Sequence, residues 1–232
     1  METVQTLSLM LGTAWASGIN LYAAVFVLGY FGNTGSVTLP PSLEILSDPL
    51  VMAAAGLMYC VEFFADKTPG VDTGWDAIHT FIRIPAGALL AAGMAQGVDV
   101  GPAAEFAAFL VGGGLAATSH FTKAGARVLI NTSPEPFTNW TASVAEDLAV
   151  IAGLWTALHH PWLFLALLAL FLLLVAWLLP RIWRALKRLA RAIGDFFRGR
   201  RHPPAEEAAP PDSPRQDMLK SLYQDARKDR ES

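Results

Sequence analysis

Long apolar runs separated by short polar breaks organise the first 180 residues. A bilayer core about 30 Å thick needs roughly 17–25 apolar residues per helix. The pattern offers six such runs: 7–31, 48–65, 84–97, 103–130, 143–159 and 162–179. The second opens on Asp48 and Pro49, an acidic cap followed by proline where the first helical N–H has no partner to lose. The third is short and built from Ala and Gly. The fifth opens on Ser143 and Glu146 at capping-box spacing, and the sixth is almost purely Leu, Ala and Phe.

Two stretches change period. Asp72, Asp76, His79 and Arg83 recur at helical spacing with Trp75, Ile78 and Ile82 on another face, which predicts a short amphipathic helix at the cytoplasmic interface. Residues 181–198 repeat the design, with Leu186, Leu189, Ile193 and Phe197 toward lipid and Arg181, Arg184, Lys187, Arg188 and Arg191 toward anionic headgroups. The Pro-, Ala- and Glu-rich stretch 202–213 predicts a flexible linker. A weak helix over 216–228 carries Leu219, Leu222 and Tyr223. The expected organisation is a transmembrane domain over 1–180, a basic interfacial helix over 181–201 and a cytoplasmic tail over 202–232.

Composition supports this reading. The chain is 53% hydrophobic and only 16% charged, against about a quarter charged in soluble domains. That argues for an integral membrane protein and against most soluble enzyme classes. Cys60 is the only cysteine, so no disulfide forms within the chain.

Charge orients the spans. Of seventeen Lys and Arg residues, only Lys67, Arg83, Lys123 and Arg127 lie in the first 180. The cluster after the sixth run puts the C-terminus in the cytoplasm by the positive-inside rule. Counting back through six spans predicts a cytoplasmic N-terminus as well, in a bacterial inner membrane. No Lys or Arg precedes the first run and Glu2 stands near its start, so the N-terminus reads as a retained span and not a signal peptide.

Residues 12–28 can be laid over 114–130, pairing Ser17 with Ser119 and Ala24 with Ala126. Each copy leads through a proline-containing loop to an acidic helix start, at Asp48 and at Glu146. Two repeats (about 5–98 and 103–180) of three spans each would enter the membrane from opposite sides, an architecture common in transporters. The expected fold class is therefore all-α: a polytopic membrane protein of about six spans in two inverted repeats, plus a cytoplasmic amphipathic helix.

Polar residues inside the first and fourth runs are the candidates for binding a solute: Ser17, Asn20, Tyr22, Ser119, His120, Thr122, Lys123 and Arg127. A cation in lipid is expensive, about 2.5–3.5 kcal/mol at a helix centre. Lys123 and Arg127 share a helix face, and two readings compete: they hold an anion, or they snorkel to headgroups. Ser17 and Ser119, with Gly93, Gly97 and Gly112 to Gly114, read first as close-packing positions. His120 is either a proton carrier or a satisfied structural residue. Glu62, Asp66, Lys67, Asp72 and Asp76 suggest a charge network with Lys123 and Arg127. For the acids and His79, a solvated capping face is favoured over a metal site. No metal site, cofactor motif, phosphate loop or nucleophile elbow is present, and neither enzymatic activity nor nucleic-acid binding is expected.

Residues 16–22, the block 61–72 with Trp75 and Asp76, and residues 123–136 together resemble a bacterial membrane family catalogued as domain of unknown function 4126. Its most specific part here is Glu62, Phe63, Asp66, Lys67, Pro69 and Asp72, and the resemblance covers about 5–158. It implies a multi-span membrane protein and supplies no activity. The sixth run, the basic helix and the tail read as this protein's own additions or as a variable end. The expected function is a carrier for a small or lipid-borne anionic solute, working by alternating access. The alternatives are a scaffold that recruits a cytoplasmic partner or anionic lipid through its basic helix and tail, and a pore. Small-residue faces also suggest a homo-oligomer.

Overall fold

The structure, a computed structural model, describes residues 3–68, 70–98, 101–131 and 136–197, together with 218 and 222. These are helical: α1 (Thr3–Asn33), α2 (Pro49–Ala65), α3 (Val71–Ala95), α4 (Pro102–Ile130), α5 (Pro136–His159) and α6 (Pro161–Phe197), with short 3-10 turns at Glu44–Ser47 and Gln96–Val98. No strand occurs among the described residues. The chain divides into two compact units, Met1–Leu186 and Lys187–Ser232. In the second, Lys187, Arg188 and Arg191 are exposed. The sequence-based lipid-facing assignments at Leu186, Leu189, Ile193 and Phe197, the linker, and most of the weak C-terminal helix lie outside the described residues and side chains.

Among the described residues, three segments are long and apolar enough to cross a membrane: Val71–Val98, Phe137–His159 and Pro161–Arg181. Leu21–Asn33 and Pro49–Ala65 are shorter apolar helices. The apolar surface faces outward, with Phe81, Ile78 and Leu89 of α3 exposed, as a lipid-facing bundle requires. We read the chain as a membrane protein.

The first run is not one span. Asn20 adopts φ −146° and ψ 97°, extended backbone inside α1, and the chain turns back there. Thr3, Thr6 and Met10 lie beside Ala95, Val98 and Ala104, at the junction of α3 and α4. Ser17 has reached Arg83, whose carbonyl accepts its hydroxyl at 2.9 Å. The second arm, Leu21–Asn33, returns toward the starting end. There a methyl at Gly32 would lie 2.7 Å from Leu39, and one at Gly97 would lie 3.2 Å from Pro40. The helix α1 is therefore a hairpin with its tip at Asn20. The tip is stabilised locally because Asn20 Oδ1 accepts from the Ala23 N–H at 2.9 Å, capping the second arm. This overturns the single first span and, with it, the structural equivalence of 12–28 to 114–130: α4 runs unbroken where α1 folds back.

Other expectations need correction for related reasons. The amphipathic helix and the third span are one helix, α3, and its polar face is turned inward: Asp72, Asp76, His79 and Arg83 are all buried. Partners on other elements are what permit that. Likewise the sixth run and the basic helix are continuous in α6. The helix α5 begins at Pro136, so Ser143 and Glu146 are not its cap. Asp48 does cap α2, accepting from the N–H of Leu50 at 2.7 Å.

Close helix crossings follow from the small residues. A methyl at Gly18 would fall 2.0 Å from Ser119 Oγ and 2.2 Å from the Ala116 carbonyl oxygen. One at Gly112 would fall 2.3 Å from Ala91 Cβ. At the opposite side of α1, Trp15 meets Phe164 and Phe171 of α6 edge-on, at 6.2 and 6.1 Å between ring centroids.

Candidate functional site

The hairpin tip, the end of α2, the first half of α3, the second half of α4 and the first half of α5 converge on one buried polar network. Arg83 is fully buried; its Nη2 donates to Glu62 Oε1 at 2.6 Å and its Nη1 to Asp76 Oδ1 at 2.9 Å. Lys123 Nζ reaches Asp66 Oδ2 at 2.7 Å and Glu62 Oε1 at 3.4 Å. Arg127 Nη2 donates to Glu146 Oε2 at 2.5 Å, while its Nη1 donates to the Asp66 and Asn139 carbonyl oxygens, each at 3.1 Å, and to Asn139 Oδ1. Three cations thus meet four carboxylates.

Burial of this kind explains why α3 can present charges inward. An isolated charge in a low-dielectric interior is costly, and a paired, hydrogen-bonded one is tolerated. Lys123 and Arg127 share a face of α4, as expected, and both are buried. They do not snorkel, because their partners lie within the bundle. The acids expected on a solvated face are buried too: Glu62 and Asp72 have no exposed surface. Among the described residues no group of three or more His, Cys, Asp or Glu is arranged to hold a metal.

The hairpin tip is tied directly to the network. The turn at Asn20 leaves the Ile19 carbonyl free of its helical partner, and Lys123 Nζ donates to it at 3.1 Å. Asn20 Nδ2 donates to Asp147 Oδ1 at 3.0 Å. A cation therefore sits at the C-terminal end of the first arm and a carboxylate at the N-terminal end of the second. Both match the helix dipole.

Two histidines flank the charges in defined tautomers. The Trp75 carbonyl can only accept, so His79 Nδ1 donates to it at 2.8 Å. His79 Nε2 then accepts from the Tyr22 hydroxyl at 3.0 Å. For His120, Arg83 Nη1 can only donate, so Nδ1 accepts at 3.3 Å. The Nε2 proton goes to Thr80 Oγ1 at 2.7 Å, and Thr80 passes its own to the Asp76 carbonyl. A second proton, on Nδ1, would face Arg83 head-on, so the ring accepts there and donates from Nε2.

The remaining expected residues divide. Ser119 Oγ donates to the Trp15 carbonyl at 2.9 Å and, like Ser17, fastens a helix crossing. Thr122 Oγ1 donates within its own helix to Thr118 and takes no part in the network. Asp72 binds Asn131 Nδ2 through both oxygens at 2.9 Å and accepts from the Gly70 and Thr73 N–H groups, locking the start of α3 to the end of α4. Lys67 Nζ lies 2.9 Å from the Phe63 ring centroid and 3.4 Å from Ser143 Oγ. Partial burial pulls its ammonium below the usual lysine range, against the pull of Asp147 and Asp66. Arg181 and Arg184 are exposed and bond back to α6 carbonyls.

Glu146, Asp147 and Asn139 join the site without having been singled out as site residues. Their signal was present: Asn139, Ser143 and Asp147 recur at four-residue spacing, with Glu146 beside Asp147. Reading Ser143 as a helix cap hid it.

Two apolar cavities lie elsewhere. One of about 750 Å³ runs between α4 and α6, lined by Phe121, Val128, Leu179 and Trp183 among others. The other, about 410 Å³, lies between the N-terminal part of α1 and the junction of α3 with α4.

A family model described as "Domain of unknown function (DUF4126)" matches residues 7–181. The chain belongs to that family. No curated protein and no solved structure matches it. The family match runs beyond residue 158 and takes in the sixth apolar run, so that run is not an addition to the family's shared region. It covers the whole polar network from Ser17 to Asp147.

Proposed function

We propose that the protein is a non-enzymatic membrane carrier for a small or lipid-borne anionic solute. The observation that carries this reading is the hairpin tip closed over Lys123, with Arg127 one turn further along the same face of α4. Discontinuous helices whose ends face a buried polar site are a recurrent way of building solute sites in carriers.

In this reading the chain's own carboxylates hold the place of the solute. Asp66 and Glu146 neutralise Lys123 and Arg127, and they are carried by the segment after α2 and by α5, not by α4. Movement of the hairpin, α5 and the segment after α2 away from α4 would trade internal carboxylates for an external anion. The gathering of Lys67, Arg83, Lys123 and Arg127 at one end of the bundle supports a cytoplasmic assignment for that end. The inverted repeat is not needed, since the moving part is the hairpin.

The test is Glu146→Gln, which removes the carboxylate that holds Arg127 while keeping the side chain's shape. Inorganic phosphate should raise the Tm of this variant more than that of wild type, because ligand binding to the folded state stabilises it in proportion to affinity. If phosphate and a panel of small carboxylates shift neither protein, and neither takes them up in proteoliposomes, the carrier reading fails.

A scaffold is the second reading, favoured by the exposed row Arg181, Arg184, Lys187, Arg188 and Arg191 along α6. Such a row suits anionic lipid headgroups. Deleting residues 181–232 separates the readings: a carrier keeps its flux, whereas a scaffold loses its membrane or partner recruitment.

A further inference from the structure

The buried acids of the network are unequally compensated. Glu62, Asp66, Asp76 and Glu146 each have a Lys or Arg nitrogen within 4 Å. Asp72 has none, but it accepts from an amide side chain through both oxygens and from two backbone N–H groups. Asp147 has neither. It is only 6% exposed; among the described residues its Oδ1 accepts from the neutral Asn20 amide, the neutral Tyr59 hydroxyl also faces it, and its Oδ2 has no close donor.

Other groups face it from every side, and none supplies a close countercharge. Asn20 comes from α1 and Tyr59 from α2. Asp66 and Lys67 come from the segment between α2 and α3, and Lys123 from α4. Lys67 directs its ammonium to Ser143, the Phe63 carbonyl and the Phe63 ring. Lys123 is engaged by Asp66, Glu62 and the Ile19 carbonyl. Glu146, next to Asp147 on α5, is committed to Arg127. The cluster already carries one more carboxylate than it has cations. A further buried carboxylate with only neutral donors is relieved most directly by a proton.

We propose that Asp147 is a proton-binding carboxyl at the tip of the α1 hairpin, and that its proton sets how firmly the tip is held. Charged, it receives the Asn20 amide as an anion and complements the N-terminal end of the second arm. Protonated, it retains a weaker neutral bond to Asn20 and loses the dipole interaction. The tip would then be released by proton binding and secured by proton loss. The proposal does not depend on which solute is moved, or on whether one is.

Infrared difference spectroscopy of the protein in lipid nanodiscs, stepped between about pH 5 and about pH 9, reads this directly. Wild type should show a protonated-carboxyl C=O band that shifts when aspartate is 13C-labelled at its carboxyl carbons. Asp147→Asn should abolish the band and Glu62→Gln should leave it. If Asp147→Asn does not fold, Asp147→Glu serves instead, and the band should become insensitive to the aspartate label. Absence of the band at every pH, insensitivity to the label in wild type, or survival of the label-sensitive band in either Asp147 variant overturns the proposal.

Discussion

Removing the charge of Lys123 tests whether the buried network holds the bundle together. Lys123 Nζ is bonded to Asp66 at 2.7 Å, Glu62 at 3.4 Å and the Ile19 carbonyl at 3.1 Å. Lys123→Met keeps the length of the side chain and strips all three. It takes the excess of carboxylates over cations in the cluster from one to two. Breaking a buried ion pair by deleting one partner costs about 3–5 kcal/mol. For a chain of this size each kcal/mol moves Tm by about 2–4 °C, so the expected fall is about 6–20 °C. Lys123→Met combined with Asp66→Asn restores the original excess and should recover at least about half of that loss, a coupling within the usual range of about 0.5–3 kcal/mol or slightly above it. Tryptophan fluorescence during heating, in one detergent for all variants, measures the series. A Tm for Lys123→Met within about 2 °C of wild type, or a double variant that falls by the sum of the singles, would refute the reasoning.

Three further outcomes are expected from the same structure. Gly18→Ala should lower Tm by several degrees, because its methyl meets the Ala116 carbonyl at 2.2 Å as well as Ser119 Oγ. Adding Ser119→Ala should not rescue it, since the backbone contact remains; rescue would place the clash at the hydroxyl alone. Asp48→Ala should destabilise by about 0.5–2 kcal/mol through loss of the α2 cap, read by the same thermal assay, and Asp48→Asn should be close to neutral. Asn20→Ala removes both the cap to Ala23 and the bond to Asp147. It should speed amide hydrogen exchange across 19–24, and unchanged exchange would mean that neighbouring packing alone fixes the tip.

What local pattern encodes was legible along the chain. Apolar runs, an Asp-Pro helix start and a cluster of C-terminal cations are properties of neighbouring residues. The helical class, the capped start of α2, the exposed row on α6 and the shared face of Lys123 and Arg127 therefore follow from them. The small residues at Ser17, Ser119 and Gly112 likewise announced close crossings, although not with which helix.

Only the tertiary structure decided the rest. The period of Asp72, Asp76, His79 and Arg83 says that they share a face, but not whether water or protein covers it. Here carboxylates and cations from α2, α4 and α5 cover it, and the polar side turns inward. The fold-back at Asn20 is hidden because both arms of α1 are apolar and add up to the length of one span. What permits the turn is supplied from 104 and 127 residues away, by Lys123 on the freed Ile19 carbonyl and Asp147 on the Asn20 amide. A sequence shows which groups need partners; which partners they find depends on helices meeting in space.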